Sequence, residues 1–288
     1  MRIIAALLLA LAAPLFAQER KVDPTWLYRN VATLPPHSLD LTTNSCHYTP
    51  IFGEGDAQSA VLHSITRFGE LTVDPQGSCQ SVTYPRTEEL YFVLDGSGTL
   101  HYAEQSHPLT QNDFTYLPPT VPHTVSNSSS QPLRLVIASV RIPADVSLSH
   151  PTTLEVANLS ELHEQTVEGH PDSVLYKLLI GPATPPRDRI NSTYAVADFF
   201  LMDFAPGGTN FPHHHEFAEE IYLVLDGQGQ MAAGSGTDGI EGLRPAKSAD
   251  AYYFRPNCTV GFYNQNTPNA KAYILALRAL IPIPKNRD

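Results

Sequence analysis

Three side chains in the C-terminal half stand at a spacing suited to one metal ion. His213 and His215 lie two residues apart, and Glu220 follows five residues later. On an extended strand residues i and i+2 point to the same face. His213 and His215 can therefore aim at one point, while His214 faces away. Glu220 is an odd number of residues from His215, so an unbroken strand would turn it to the wrong face. The spacing thus predicts a bend between Glu216 and Glu219. Two imidazoles and one carboxylate suit a divalent cation such as manganese, iron, zinc or copper, with coordination positions left open. Such an ion could activate dioxygen or a bidentate substrate, polarise a group for hydrolysis or deamination, or hold an enediol for isomerisation. Tyr222 and Tyr263 are candidate catalytic donors of a proton or hydrogen bond, and ordinary barrel packing is the competing use of each.

The elements that must position these groups are strands. Ile221 to Leu225 reads as a strand, and Asp226-Gly227 then reads as a hairpin turn. The segment Glu219-Glu220-Ile221-Tyr222-Leu223-Val224-Leu225-Asp226-Gly227 nearly repeats Glu88-Glu89-Leu90-Tyr91-Phe92-Val93-Leu94-Asp95-Gly96, at an offset of 131 residues (219 minus 88). A repeat of this length means two copies of one domain, each read as an antiparallel barrel of jelly-roll type. The 25 prolines and 17 glycines in 288 residues suit many short strands joined by turns. The formal net charge of -11 argues against nucleic acid, whose phosphates need a basic face. No basic amphipathic stretch suggests a membrane.

The run from Gly207 through His213-x-His215 and Glu220 to Gly227 resembles the first motif of the cupin superfamily throughout. Pro118-Pro119-Thr120-Val121-Pro122-His123 and Asn127 resemble its second motif, which supplies a further histidine ligand; Thr120 stands where glycine is usual. The resemblance implies an all-β chain of two tandem cupin-type barrels with a short helical connector, a bicupin. Placing Asn264 on Asn127 puts Val260 on His123. The second copy thus keeps His213, His215 and Glu220 but has valine at the fourth position. The first copy keeps Glu89 and His123 but has Val82 and Tyr84 at the imidazole positions, so Tyr84, Glu89 and His123 form a degenerate site. The metal is expected in the second barrel only. The overall layout resembles the ureidoglycine aminohydrolases, which bind manganese in the second barrel. That family carries glutamine where Val260 stands, and its Glu and His positions are exchanged relative to His213 and Glu220.

These readings divide the chain into a secretory signal peptide (1–17), an N-terminal arm (18–57), a first barrel (58–142), a connector (143–192) and a second barrel (193–288). Arg2, the apolar run Ile3 to Phe16 and Ala17-Gln18 carry the signal-peptide reading, which implies a secreted or periplasmic protein. In such a compartment Cys46 and Cys79 are the expected pair, leaving Cys258. A short helix is expected near Asn158 to Glu164. His163 and His170 are assigned no role. The expected partner is a small-molecule ligand or substrate, with self-association left open. Two functions compete: a metalloenzyme, dioxygenase-like or aminohydrolase-like, acting on a small polar or phenolic molecule, and a non-catalytic bicupin that binds a small ligand.

Overall fold

A computed structural model describes residues 24–149, 153–235 and 241–282. The signal peptide expected at residues 1–17 lies outside them. Nineteen strands are present among the described residues, and helical structure there is limited to three 3-10 turns. Nine strands belong to the first half: β1 (Trp26–Asn30), β2 (Cys46–Gly53), β3 (Ile65–Val73), β4 (Thr87–Asp95), β5 (Ser97–Tyr102), β6 (Gln105–Thr110), β7 (Asp113–Leu117), β8 (His123–Ser126) and β9 (Leu133–Arg141). Ten follow: β10 (Val156–Asn158), β11 (Val174–Pro182), β12 (Ile190–Thr193), β13 (Val196–Phe204), β14 (Ala218–Asp226), β15 (Gln228–Ser235), β16 (Glu241–Lys247), β17 (Asp250–Phe254), β18 (Cys258–Asn264) and β19 (Ala272–Leu280).

Each barrel pairs a large sheet with a three-stranded one. The first uses β10-β7-β4-β9-β3-β2 and β6-β5-β8; the second uses β1-β17-β14-β19-β13-β11-β12 and β16-β15-β18. In the first barrel Leu71, Tyr91, Leu100 and Val125 meet inside. In the second, Phe204, Tyr222, Met231 and Phe262 do so. A third core joins the barrels, where the outer faces of the large sheets bury Phe52, Phe92, Leu223 and Leu277 together. Strands β4 and β14 are therefore apolar on both faces, which is why they read as nearly unbroken hydrophobic runs.

Strands from outside the two expected barrel spans complete the sheets. The N-terminal arm is built into the sheets: β1 pairs with β17 of the second barrel, and β2 pairs with β3 of the first. The connector likewise supplies β10 to the first barrel, on β7, and β11 and β12 to the second, on β13 and β11. Each half thus lends its leading strand to the other barrel. Asn30 Nδ2 donates to Asp250 Oδ1 at 2.7 Å, and Asn158 Nδ2 donates to Asp113 Oδ1 at 2.7 Å, so the two exchanged strands are pinned alike. The helix expected near Asn158 is a single 3-10 turn, Leu159–Glu161, closed by a capping box of Asn158 and Glu161.

Asp226-Gly227 does not close a hairpin. Strand β14 lies in the large sheet and β15 in the small one, so the turn carries the chain round the barrel corner. Gly227 has φ +87°, and a Cβ there would lie 2.2 Å from the Lys271 carbonyl oxygen. Gly96 makes the same corner at φ +83°. Only glycine meets both demands.

The first glutamate of each repeated Glu-Glu pair crosses between barrels. Glu88 accepts the backbone N–H groups of Tyr194, Ala195 and Val196 and the Tyr116 hydroxyl. Glu219 accepts those of His63, Ser64 and Ile65 and the Tyr253 hydroxyl. Both carboxylates are fully buried. Cys46 and Cys79 form a disulfide within the first barrel, and buried Cys258 donates to the Gly234 carbonyl.

Candidate metal centre

The backbone delivers His213, His215 and Glu220 to the inside of the second barrel. His213 bridges Val260 on β18, fixing it over the small sheet. The chain bends at Glu216 and Phe217 before β14 begins at Ala218. The bend resets the alternation, so Glu220 faces inward with Tyr222, while Glu219 and Ile221 face the other barrel. His214 is exposed and points away.

One ligand atom from each of His213, His215 and Glu220 lies within 4.8 Å of the others. The His213 Nδ1–H donates to the Phe211 carbonyl at 2.8 Å, which leaves the Nε2 lone pair for the cavity. Burial pulls the His213 imidazole below its ordinary value, so it is neutral and able to coordinate. Burial pushes Glu220 up, but His215 and Arg278 outweigh it and hold the carboxyl below its usual range, ionised. Glu220 Oε2 lies 3.2 Å from His215 Nε2 and yet receives no hydrogen bond of acceptable geometry. A buried carboxylate oxygen without a donor, beside two imidazoles, is the environment a cation satisfies. A cavity of about 20 Å³ lies beside His213 and Glu220.

Tyr222 lines this cavity, and its hydroxyl accepts from Asn210 Nδ2 at 2.9 Å. Burial raises its pKa well above the ordinary tyrosine value, so it keeps its proton. Tyr263 is a different case. It lies in β18, where it pairs with Gln230 and Thr209, and it does not line the cavity. Neighbouring Phe262 takes the inward position. Val260 is buried and presents an apolar wall.

Four further residues reach the site from outside the motif. His170 comes from the connector, with its ring 5.1 Å from that of His213 and its Nδ1 on the Asn210 carbonyl at 3.0 Å. Asp198 and Arg278 come from β13 and β19, and Arg187 from the loop before β12. An arginine in the otherwise apolar run Ala272 to Leu280 was the available sign for Arg278.

The equivalent groups of the first barrel are paired with one another. Val82 bridges His123 as His213 bridges Val260, which confirms the register between the copies. His123 Nδ1 donates to the Val121 carbonyl at 3.0 Å, and its Nε2 lies 2.7 Å from Glu89 Oε2. Ser139 Oγ donates to the other Glu89 oxygen at 2.6 Å. Burial pulls the His123 imidazole down, but Glu89 outweighs it and raises the net value. Tyr84 accepts from Arg67 at 2.6 Å and donates to Asp40 at 2.9 Å. Both nitrogens of His123 and both oxygens of Glu89 are thus engaged.

Comparison with known proteins agrees with this architecture. Residues 69–139 match the cupin domain family. An uncharacterized protein of Methanocaldococcus jannaschii is 30% identical over 53 residues, a match spanning 18% of this chain and 42% of that relative. Among solved structures, the fold resembles Ylba from E. coli (TM-score 0.66, 17% identity, 93% of this chain and 97% of that one). It also resembles a Pseudomonas aeruginosa protein provisionally described as glyoxylate-induced (TM-score 0.73, 14% identity, 93% and 94% covered). A third is the oxalate decarboxylase of Lactobacillus farciminis (TM-score 0.65, 9% identity, 91% and 88% covered).

Proposed function

The chain is a two-barrel member of the cupin superfamily, and on that premise we propose that it is a metalloenzyme with one divalent ion in its second barrel. The observation that carries this is the trio His213, His215 and Glu220, converging with an unsatisfied buried carboxylate oxygen. When bound, manganese, iron, zinc or copper supplies Lewis-acid polarisation and open coordination positions. His213 Nε2, His215 and Glu220 would hold it. Tyr222, protonated and fixed by Asn210, presents a hydrogen-bond donor to a small polar substrate. Such a donor serves dioxygenase-like and aminohydrolase-like chemistry alike.

A second reading is favoured by Val260, which removes one donor from the usual four and fits a barrel that binds a small ligand without transforming it. Metal analysis of the purified mature protein separates the site from this alternative. About one divalent ion per chain is expected, lost in His213→Ala/His215→Ala and kept in His123→Ala. Metal retained in the double variant overturns the assignment. Export belongs to the same proposal: the Cys46–Cys79 disulfide suits an oxidising compartment. Mass spectrometry should find the mature chain starting near Gln18, and an intact Met1 on cytosolic protein would contradict it.

A further inference from the structure

We infer that His170 supplies a further ligand to the ion of the second barrel, from the connector rather than from the motif position that Val260 occupies. The inference rests on the metal-site reading above and extends its ligand set. His170 lines the same cavity as His213 and Glu220. Its ring lies 5.1 Å from that of His213 and 5.5 Å from that of Tyr176, centre to centre. A carbonyl oxygen can only accept, so the Nδ1 that meets the Asn210 carbonyl at 3.0 Å carries the proton, and Nε2 keeps the lone pair. The Phe211 carbonyl fixes His213 in the same way. Both rings therefore have the tautomer, and the partner on the second nitrogen, that a metal-bound imidazole needs.

The histidine is particular to the barrel that carries the trio. The end of the connector repeats the N-terminal arm at an offset of 128 residues (165 minus 37): Gln165 bridges Tyr176 as His37 bridges Tyr48. The His170 N–H donates to the Val167 carbonyl as the Thr42 N–H donates to the Leu39 carbonyl. Three residues on, the Ser173 carbonyl accepts from Ala205 as the Ser45 carbonyl accepts from Asp74. Thr42 is therefore the counterpart of His170 (170 minus 42). Its hydroxyl turns back onto its own turn and bonds Leu39. The two barrels thus exchange a histidine: the first has His123 and Thr42, the second Val260 and His170. The barrel whose Glu220 keeps an unpaired oxygen is the one with an imidazole at this second place. His170 stands beside the trio whose ligand atoms lie within 4.8 Å of one another, not inside it, so an ion must draw its ring inward. The turn allows this movement. Gly169 has φ +85° and open space around it, while the hydrogen bonds of Gln165 and Ser173 hold the two ends.

The test uses the full mature protein loaded with Cu(II), whose pulsed-EPR echo modulation counts bound imidazoles through their remote nitrogens. The wild type should show three. His170→Thr, which installs the residue of the first barrel, should show two. Chelator competition should find His170→Thr binding the metal about tenfold or more weakly, since even the outer partner of a ligand is worth that much. The imidazole count is what separates a ligand from such a partner. His163→Ala, at an exposed histidine of the same connector, should leave both readings unchanged. Two imidazoles in the wild type, or a count that His170→Thr does not lower, overturns this inference and leaves the trio standing. Absence of metal from the wild type takes down both.

Discussion

The two barrels place different charges in the same row. Across β14, β19 and β13 the inward row of the second barrel is Glu220, Arg278, Asp198. Across β4, β9 and β3 the row of the first is Glu89, Ser139, Arg67. The glutamate is common to both, but its surroundings decide what it can do. In the first barrel Ser139 and His123 engage both oxygens of Glu89, and the polar groups pair among themselves. In the second, Glu220 keeps an oxygen without a donor, and Arg278 is drawn off by Asp198. A duplicated scaffold thus carries one Glu–His pair that is fully hydrogen-bonded and one glutamate with an oxygen left unpaired. A buried network with every partner satisfied has no demand for an ion, whereas one with an orphaned anion does.

The largest effects are expected where the barrels are alike. Glu88 and Glu219 each satisfy three backbone N–H groups of the opposite barrel. Removing either carboxylate leaves those buried donors orphaned. Glu88→Ala and Glu219→Ala should each destabilise the protein by about 3 kcal/mol or more. Denaturant melts at neutral pH measure this, and equal losses would mark the two latches as equivalent. A loss confined to one variant would show that only one barrel depends on the crossing.

The next contrast is covalent. Cys79 of the first barrel corresponds to Asn210 of the second, at the same offset of 131 (210 minus 79). Where the first barrel has a disulfide across 33 residues of sequence, the second has Asn210 bonding the Tyr222 hydroxyl and the Phe262 N–H. Cys79→Ser should cost about 2–4 kcal/mol through the less constrained unfolded chain. Asn210→Ala should cost about 1–3 kcal/mol, since it orphans the Phe262 N–H. Thermal melts of the two variants compare the devices, and an Asn210→Ala loss exceeding that of Cys79→Ser would reverse the order.

Much of the second site was legible because a strand's period of two converts spacing into direction. His213, His215, the bend and Glu220 followed from that alone. The repeat likewise located the degenerate site of the first barrel, since one offset carries Val82, Tyr84 and Glu89 onto the second motif. What stayed hidden was non-local. Nothing in Trp26–Asn30 says that it pairs with Asp250–Phe254, because both ends of that contact look like ordinary edge strands. His170 looked like a loop histidine until the connector folded it against His213. Tyr263 shows the rule at work from the other side: with Phe262 inward on β18, alternation turns Tyr263 out.

The smallest effect tests the fourth ligand position. Val260 and His123 are equivalent, each bridged by the residue at the first imidazole position of its own copy. Val260 is buried among Tyr222, Phe254 and Phe262, so it offers the ion no donor and keeps one side of the site dry. Val260→His adds an imidazole on the β18 side and should tighten metal binding by about tenfold. The gain is limited, because a new ligand needs a partner for its second nitrogen. His123 finds that partner in the Val121 carbonyl two residues upstream. The corresponding carbonyl upstream of Val260 belongs to Cys258, and a histidine at 260 needs it free to accept. The added ligand also takes a coordination position, so Val260→His should bind Mn(II) more tightly than the wild type and a small bidentate ligand such as glycolate more weakly. Competition with a metal chelator measures the first quantity and calorimetry the second. Unchanged metal affinity in a folded variant would mean that the position cannot reach the ion, and that the two copies differ in backbone as well as in side chains.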